Sequence, residues 1–359
     1  MGQEKLDLKN KDPEVLRLMS RSFYAIQKSR VMIRARIKSL ERDNLLLEED
    51  AEILHEWCDK ALEGIEKNLE KQAENIMFEH PLWTEWLNHI KGIGPILGAA
   101  IIGEIGGHVG TLCPNCEQET YLLAKKKKKV GKNKKDEKED ASTTNDEVDE
   151  DEEFLQFVRT PGKVITTYTC KKCGFYTENE EEIANLKQLK GIACWTNPSK
   201  LHKWMGLDVT PEGKAPKRQK KTPTTWSPPM RVLAWKIGDS FVKSGGKKRL
   251  PGFFRLKYDV FRELEDNKHP DLSDGHRLAR ASRKAVKLFI SITWAKYRQL
   301  ENLPVRTPYS VEKLGHKLVT PEEVLKFEIS QAEKSKAEKI KAKKSKDKKA
   351  EKSETKSQG

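Results

Sequence analysis

Two pairs of cysteines carry the sharpest chemical signal in the chain: Cys113-Pro-Asn-Cys116 and Cys170-Lys-Lys-Cys173-Gly174. Two Cys-x-x-Cys knuckles supply four thiolates, the donor set of a tetrahedral zinc ion. With every position closed by sulfur, the zinc they predict is structural and not catalytic. Thr166 to Thr169 before the second pair, and Phe175-Tyr176 after it, read as short strands, so the whole reads as a zinc ribbon. The 53 residues between the pairs exceed what a ribbon needs, and a low-complexity stretch over 125–153 accounts for the excess. It holds five consecutive lysines, a mixed run, and an acidic block from Asp146 to Glu153. Such a stretch has nothing to bury and is expected to be disordered. The alternative is two unrelated pairs of reduced thiols. Cys58 and Cys194 stand apart and read as core residues.

A second centre is suited to holding a phosphate. In Leu87-Asn-His-Ile90-Lys91-Gly92-Ile93-Gly94-Pro95, a helix is expected to end at Ile90 and another to begin near Pro95. The glycines admit backbone angles that other residues resist and leave amides uncovered. Those amides, at the positive end of the second helix and beside Lys91, make an anion site. Leu87, Ile90, Ile93, Ile96 and Ile101 would pack the two helices together. This is the pattern of a helix-hairpin-helix, which grips a nucleic-acid backbone without reading bases. The alternative is an ordinary helical turn whose small residues allow close packing.

Basic clusters form the third group. Lys214, Lys217, Arg218, Lys220 and Lys221 lie in a Pro-rich loop over 208–229, and Lys243, Lys247, Lys248 and Arg249 follow a helix. Trp204, Trp226 and Trp235 are interleaved with them, and basic loops beside aromatics suit backbone contact and base stacking. A solvated surface over core tryptophans fits equally well. His276, Arg277, Arg280, Arg283, Lys284 and Lys287 line the polar side of a later helix, where one face of the stripe could follow a phosphate backbone.

These groups need elements to hold them. Residues 13–43 read as a long helix with Leu16, Met19, Phe23, Ile26, Ile33, Ile37 and Leu40 at alternating steps of three and four, interrupted at Arg30. That heptad seam predicts a coiled coil. A second helix is expected to present Leu54, Trp57, Cys58, Ala61, Ile65 and Leu69, and the two either fold back as a hairpin or pair with a second copy. Later helices are expected over Met230–Val242, Phe253–Leu264 and His276–Gln299. The tail after about 325 shows no buried stripe. The predicted fold is mainly α: coiled-coil helices over 1–78, a helical domain over 79–110 and 181–315, a small β zinc-ribbon insert over 111–180, and a Lys-rich disordered tail over 325–359.

The composition agrees with an anionic partner. Of 359 residues 35% are charged, and the formal net charge is +14. The last 29 residues hold eleven lysines against five acidic residues, so +8 remains on the rest of the chain. A basic excess of this size points to phosphate-bearing partners. No apolar run reaches the roughly 18 residues of a membrane span. The polar start, Met1 to Lys11, lacks an apolar signal core. The expected location is therefore cytoplasmic, nucleoid-associated in a prokaryote.

The order of the pieces resembles a known family. Gly92-Ile93-Gly94 with its helices, Asn197-Pro-Ser-Lys-Leu201-His-Lys-Trp204-Met-Gly206-Leu207, Met230-Arg231-Val-Leu233, Tyr258 and the Arg283-Lys284 helix look like the C-terminal domain of insertion-sequence transposases of the bridge-RNA-guided recombinase type. The resemblance covers roughly residues 14 to 300 apart from the ribbon insert. It implies DNA as partner and a guide-type RNA as a further one, while the heptad seam itself points to homodimerisation through the coiled coil. Family members also carry an N-terminal nuclease-like domain rich in acidic residues and a catalytic serine. This sequence begins at the coiled coil. Where the family places Ser-Gly after the residues matching Gly206-Leu207, it has Glu212-Gly213. A carboxylate does not replace an attacking alcohol. The expectation is a transposase-like DNA-binding protein without self-sufficient catalysis. Two alternatives stand beside it: an active transposase or subunit that uses a partner or another nucleophile, and a zinc-ribbon RNA-binding factor.

Overall fold

The computed structural model describes residues 13–112, 114–115, 119–120, 123–127, 164–169, 173–177, 179, 181–182, 188–210, 214–218, 224–245, 250–313, 315 and 317–338. They are mainly helical and divide into two compact units, one formed by the segments on either side of 109–189 and one by 109–189 itself.

In the first unit, α1 (Pro13–Arg42) runs back against α2 (Glu48–Leu54) and α3 (Ala61–Met77), which are joined by a π-helical turn, His55–Lys60. On α1 the inward positions Leu16, Phe23, Arg30 and Ile37 repeat every seven residues. Arg30 thus occupies a seam position and does not break the heptad. Opposite it the returning helix buries Asp59, Glu66 and Ala73, also seven apart, and the π turn supplies the one extra residue between Ala51 and Asp59. Arg30 grips Glu66 with two hydrogen bonds of 2.6 and 2.9 Å, and Arg34 reaches Asp59 at 2.5 Å. The second helix therefore turns a charged face inward, and the apolar face expected there points out: Trp57 is 75% exposed, with Ile53 and Ile65 exposed beside it. The seam read as a coiled coil is filled by an intramolecular hairpin.

Helix α4 (Pro95–Gly106) is apolar all round because it is central; Ile96, Ala99, Ile101, Ile102 and Ile105 are buried. It meets the start of α1 at Gly103, where a Cβ would stand 2.4 Å from the Arg17 nitrogen, so only glycine fits. Arg21 fastens the crossing through Glu104 at 2.7 Å. Before α4, the helix expected to end at Ile90 is replaced by one short helical turn, Pro81–Thr84, and a 3-10 turn, Leu87–His89. Trp86 divides them because its indole is buried and donates to Thr293 Oγ1 at 2.8 Å.

Four more helices complete this unit's core: α5 (Pro198–Trp204), α6 (Pro228–Lys243), α7 (Phe253–Lys268) and α8 (Asp274–Leu300). Phe241, Phe254 and Phe289, one from each of the last three, pack ring to ring at 5.0 to 5.3 Å. Val232 of α6 is 54% exposed, and Met230, Ala234 and Gly238 share the buried side. Helix α9, residues 321–338, buries Pro321 and Val324 before the expected start of the Lys-rich tail; beyond 325 only Glu328 is buried among the described residues.

In the second unit β1 (Val109–Leu112) pairs antiparallel with β2 (Glu119–Thr120), with Leu112 opposite Glu119. β3 (Leu123–Lys127), β4 (Val164–Thr169) and β5 (Tyr176–Thr177) form a second antiparallel sheet, with Thr169 opposite Tyr176. In sequence, each Cys-x-x-Cys pair falls between two partnered strands.

Candidate nucleic-acid interface

The hairpin and the basic residues of α8 lie within the first unit and meet very different surroundings. Lys91 turns inward, and its ammonium donates to the Leu250 carbonyl. Gly92 has φ +100°, which a side chain resists, and its carbonyl accepts from Ser240 Oγ. A Cβ there would also stand 3.1 Å from the Phe241 ring. This side of the hairpin is packed against α6 and the start of α7.

Gly94 is the other case. It is exposed, caps α4 with φ −88° and ψ 177°, and has open space where a Cβ would go. The amides of Ile96 and Leu97 precede the first intrahelical bond, Gly98 N–H to the Gly94 carbonyl at 2.9 Å, and so lack helical acceptors.

Glu328 of α9 closes the packed side. Its Oε1 accepts from the Phe253 amide at 2.9 Å, at the start of α7. Burial lifts this carboxyl to about 7, although the Phe253 and Lys91 contacts pull it down.

The basic loop is tied down at both ends. Thr210 N–H donates to the Lys214 carbonyl at 2.8 Å, and Ser227 N–H to the Trp204 carbonyl at 2.7 Å. Arg231 of α6 donates to the Pro216 carbonyl, and its guanidinium lies over the Trp226 ring, 4.5 Å from the centre. Gly206, at φ +66°, allows this close packing, since a Cβ would stand 3.2 Å from both side chains. The loop is thereby a strap with Lys214, Lys217 and Arg218 exposed on its outer side. Lys220 and Lys221, Lys247, Lys248 and Arg249, and Glu212 lie outside the described residues.

Helix α8 splits its cations. Arg280 and Lys284 reach the buried Glu265 of α7 at 2.6 and 2.5 Å, and Arg277 reaches Asp266 at 2.7 Å. Burial alone would raise the Glu265 carboxyl, but the bonds from Lys284 and Arg280 outweigh it and hold it below the usual range. Arg283 and Lys287 are half-buried, and among the described residues neither head group makes a hydrogen bond or ion pair. Burial lowers both; Arg231 and Arg280 lower Arg283 further, and Arg283 lowers Lys287, against the opposing pull of Asp208. His202 of α5 sits beneath them, its Nε2 3.1 Å from the Lys287 carbonyl. Burial brings its pKa to about 4, so it is a neutral donor to that carbonyl at physiological pH.

Of the residues selected from sequence, Lys214, Lys217, Arg218 and Arg283 thus gather around α6 and α8, whereas Lys91 and Arg280 are occupied internally. Lys287 belongs to the basic stripe read from sequence, but Arg231 lay outside the basic clusters. Its signal was its position one turn into a helix that follows Trp226.

The cysteines divide differently. Cys113, Cys116 and Cys170 lie outside the described residues. Cys173 is exposed in a turn followed by Gly174 at φ +75°, between β4 and β5, a place and shape that suit a ligand knuckle. Among the described residues no group of three or more metal-binding side chains is assembled. No helix among them is long and apolar enough to cross a membrane. No protein-family model matches the chain, and no curated protein or solved structure matches it either.

Proposed function

We propose that this chain is a nucleic-acid-binding protein of transposase-like design that holds a DNA backbone and does not by itself carry out recombination. One observation supports the reading above the others: a basic strap, anchored by Arg231 and Trp226, presents Lys214, Lys217 and Arg218 to solvent, near two half-buried cations whose head groups make no hydrogen bond or ion pair among the described residues. An anionic polymer supplies many phosphates at once and suits such a surface. The exposed Gly94 end of α4 adds a place for a further phosphate.

The rest of the reading attaches to this core. The four cysteines would hold one structural zinc, keeping the strand pairs of the second unit together; metal analysis should find one zinc per chain. A second copy would cover Ile53, Trp57 and Ile65, the apolar face that the charged hairpin seam leaves outside. The deciding experiment is a salt titration of binding to a short duplex of random sequence. Affinity should fall by about a thousandfold between about 50 and about 200 mM salt, with little dependence on sequence. A flat salt response removes the proposal. Competition with RNA of the same length separates the DNA reading from an RNA-binding one.

A further inference from the structure

We infer that Arg231, Arg283 and Lys287 form a pocket for a single phosphate group, set behind the basic strap and distinct from its solvent-facing lysines. The inference rests on the nucleic-acid reading only for the source of that phosphate.

Arg283 and Lys287 lie one turn apart on α8, so their head groups project to the same side. Both are half-buried, and among the described residues neither has a hydrogen bond or an ion pair. Arg231 joins them from α6. Trp226 fixes the plane of its guanidinium, and with one N–H given to the Pro216 carbonyl most of its five donors remain. His202 donates to the Lys287 carbonyl and fixes that turn of α8 without adding charge.

Arg283 and Lys287 share one carboxylate, Asp208, and Arg231 adds a further positive charge beside Arg283. Withdrawing like charges from water is unfavourable unless an opposite charge answers them. Where α8 uses cations to hold the fold, that answer is present, as Glu265 is for Arg280 and Lys284. At Arg283 and Lys287, Asp208 supplies only part of it, with no ion pair formed, and the rest has to come from outside. Planar guanidinium forks beside a compact ammonium match the oxygens of a tetrahedral phosphate. The strap meets Arg231 at the Pro216 carbonyl, so a strand held by Lys214 and Lys217 would bring its phosphates close to this place.

The test uses the full chain, inorganic phosphate, and a short random-sequence duplex. Phosphate should raise the melting temperature of the wild type. Lys287→Met keeps the apolar stem and removes the charge. It should melt at or above the wild-type temperature without phosphate, because a repulsion is gone, and should lose the phosphate-induced rise. Arg283→Gln should behave alike and guards against the effect of one poorly folded variant. Each should bind the duplex about tenfold more weakly, with a salt slope about one unit shallower. The pocket is overturned if both variants melt lower without phosphate, or if both keep the full phosphate-induced rise. If phosphate stabilises the wild type through these residues and the duplex does not bind, the pocket stands with free phosphate as its occupant and the nucleic-acid reading falls. If the duplex binds wild type and both variants alike, the nucleic-acid reading stands and the pocket falls.

Discussion

Arg280 and Lys284 differ from Arg283 and Lys287 by less than one turn of the same helix, yet the two pairs meet opposite electrostatic surroundings. The first pair converges on Glu265, a carboxylate that is 1% exposed, and serves to dock α8 on α7. The second pair looks towards α5 and α6, where Arg231 adds a like charge and Asp208 answers only in part. Charge density along the sequence is equal for both. What separates the two pairs is therefore the carboxylate on the neighbouring helix. Among the described residues one pair is fully answered by a buried carboxylate and the other, one step away, only in part, which is the contrast on which the proposed phosphate pocket rests.

The largest effect expected from breaking this contrast is at Glu265. Glu265→Gln keeps the shape and leaves Arg280 and Lys284 in the position of Arg283 and Lys287. Removing one partner of a buried pair costs about 3–5 kcal/mol, and because both cations are partly exposed solvent screening reduces this to about 2–3 kcal/mol. Urea unfolding should show that loss, with duplex affinity unchanged or slightly higher. Unchanged stability would mean that the two cation pairs do not differ in the way described.

Glu328 sharpens the contrast, because it is a carboxylate near a cation, Lys91, for which burial still wins. Its folded pKa, about 7, stands above the ordinary 4.5. The folded state then binds the proton more tightly than the unfolded one, so its contribution is complete below about pH 4.5 and is lost as pH rises through about 7. Glu265, held below its ordinary value, runs the other way: its contribution is present above about 4.5 and lost in acid. Glu328→Gln keeps an oxygen for the Phe253 amide and removes the titration. Between pH 5 and 8 the wild type should lose about 2 kcal/mol relative to this variant. Parallel pH profiles of the two proteins would show that the carboxyl is not held in the protonated form.

The long helices were legible because their periods are strong. The apolar run of α4 and the seven-residue repeat on α1 both follow from one element's own residues. Failures came where the answer lay on another element. Arg30 reads as a defect in an apolar seam until Asp59 and Glu66 stand opposite it. Trp57 and Ile65 read as an inner face until the π turn and those carboxylates rotate the helix. The α8 cations read as one stripe because nothing in their own segment marks Glu265 as partner to some of them. The hairpin was found by its glycines, but that one side of it is packed on Ser240 and Phe241 depends on residues some 150 positions away.

That half-packed hairpin permits the gentlest test of where anions bind. Gly92 cannot be replaced without strain, whereas Gly94 has ordinary angles, an exposed position and room for a side chain. Gly94→Asn would cap α4 with a neutral oxygen, and Gly94→Asp with a charged one. Each should change stability by only a few tenths of a kcal/mol, in the stabilising direction, since both residues cap better than glycine. If the α4 amides hold a backbone phosphate, both variants occupy those amides and weaken duplex binding, asparagine by about twofold and aspartate by about threefold, less than is lost at Lys287. The charged variant should recover towards the neutral one as salt is raised, because screening removes its extra repulsion. Equal binding by glycine, asparagine and aspartate at low salt would reduce the hairpin to a structural turn and leave the strap and the α8 cations as the whole of the interface.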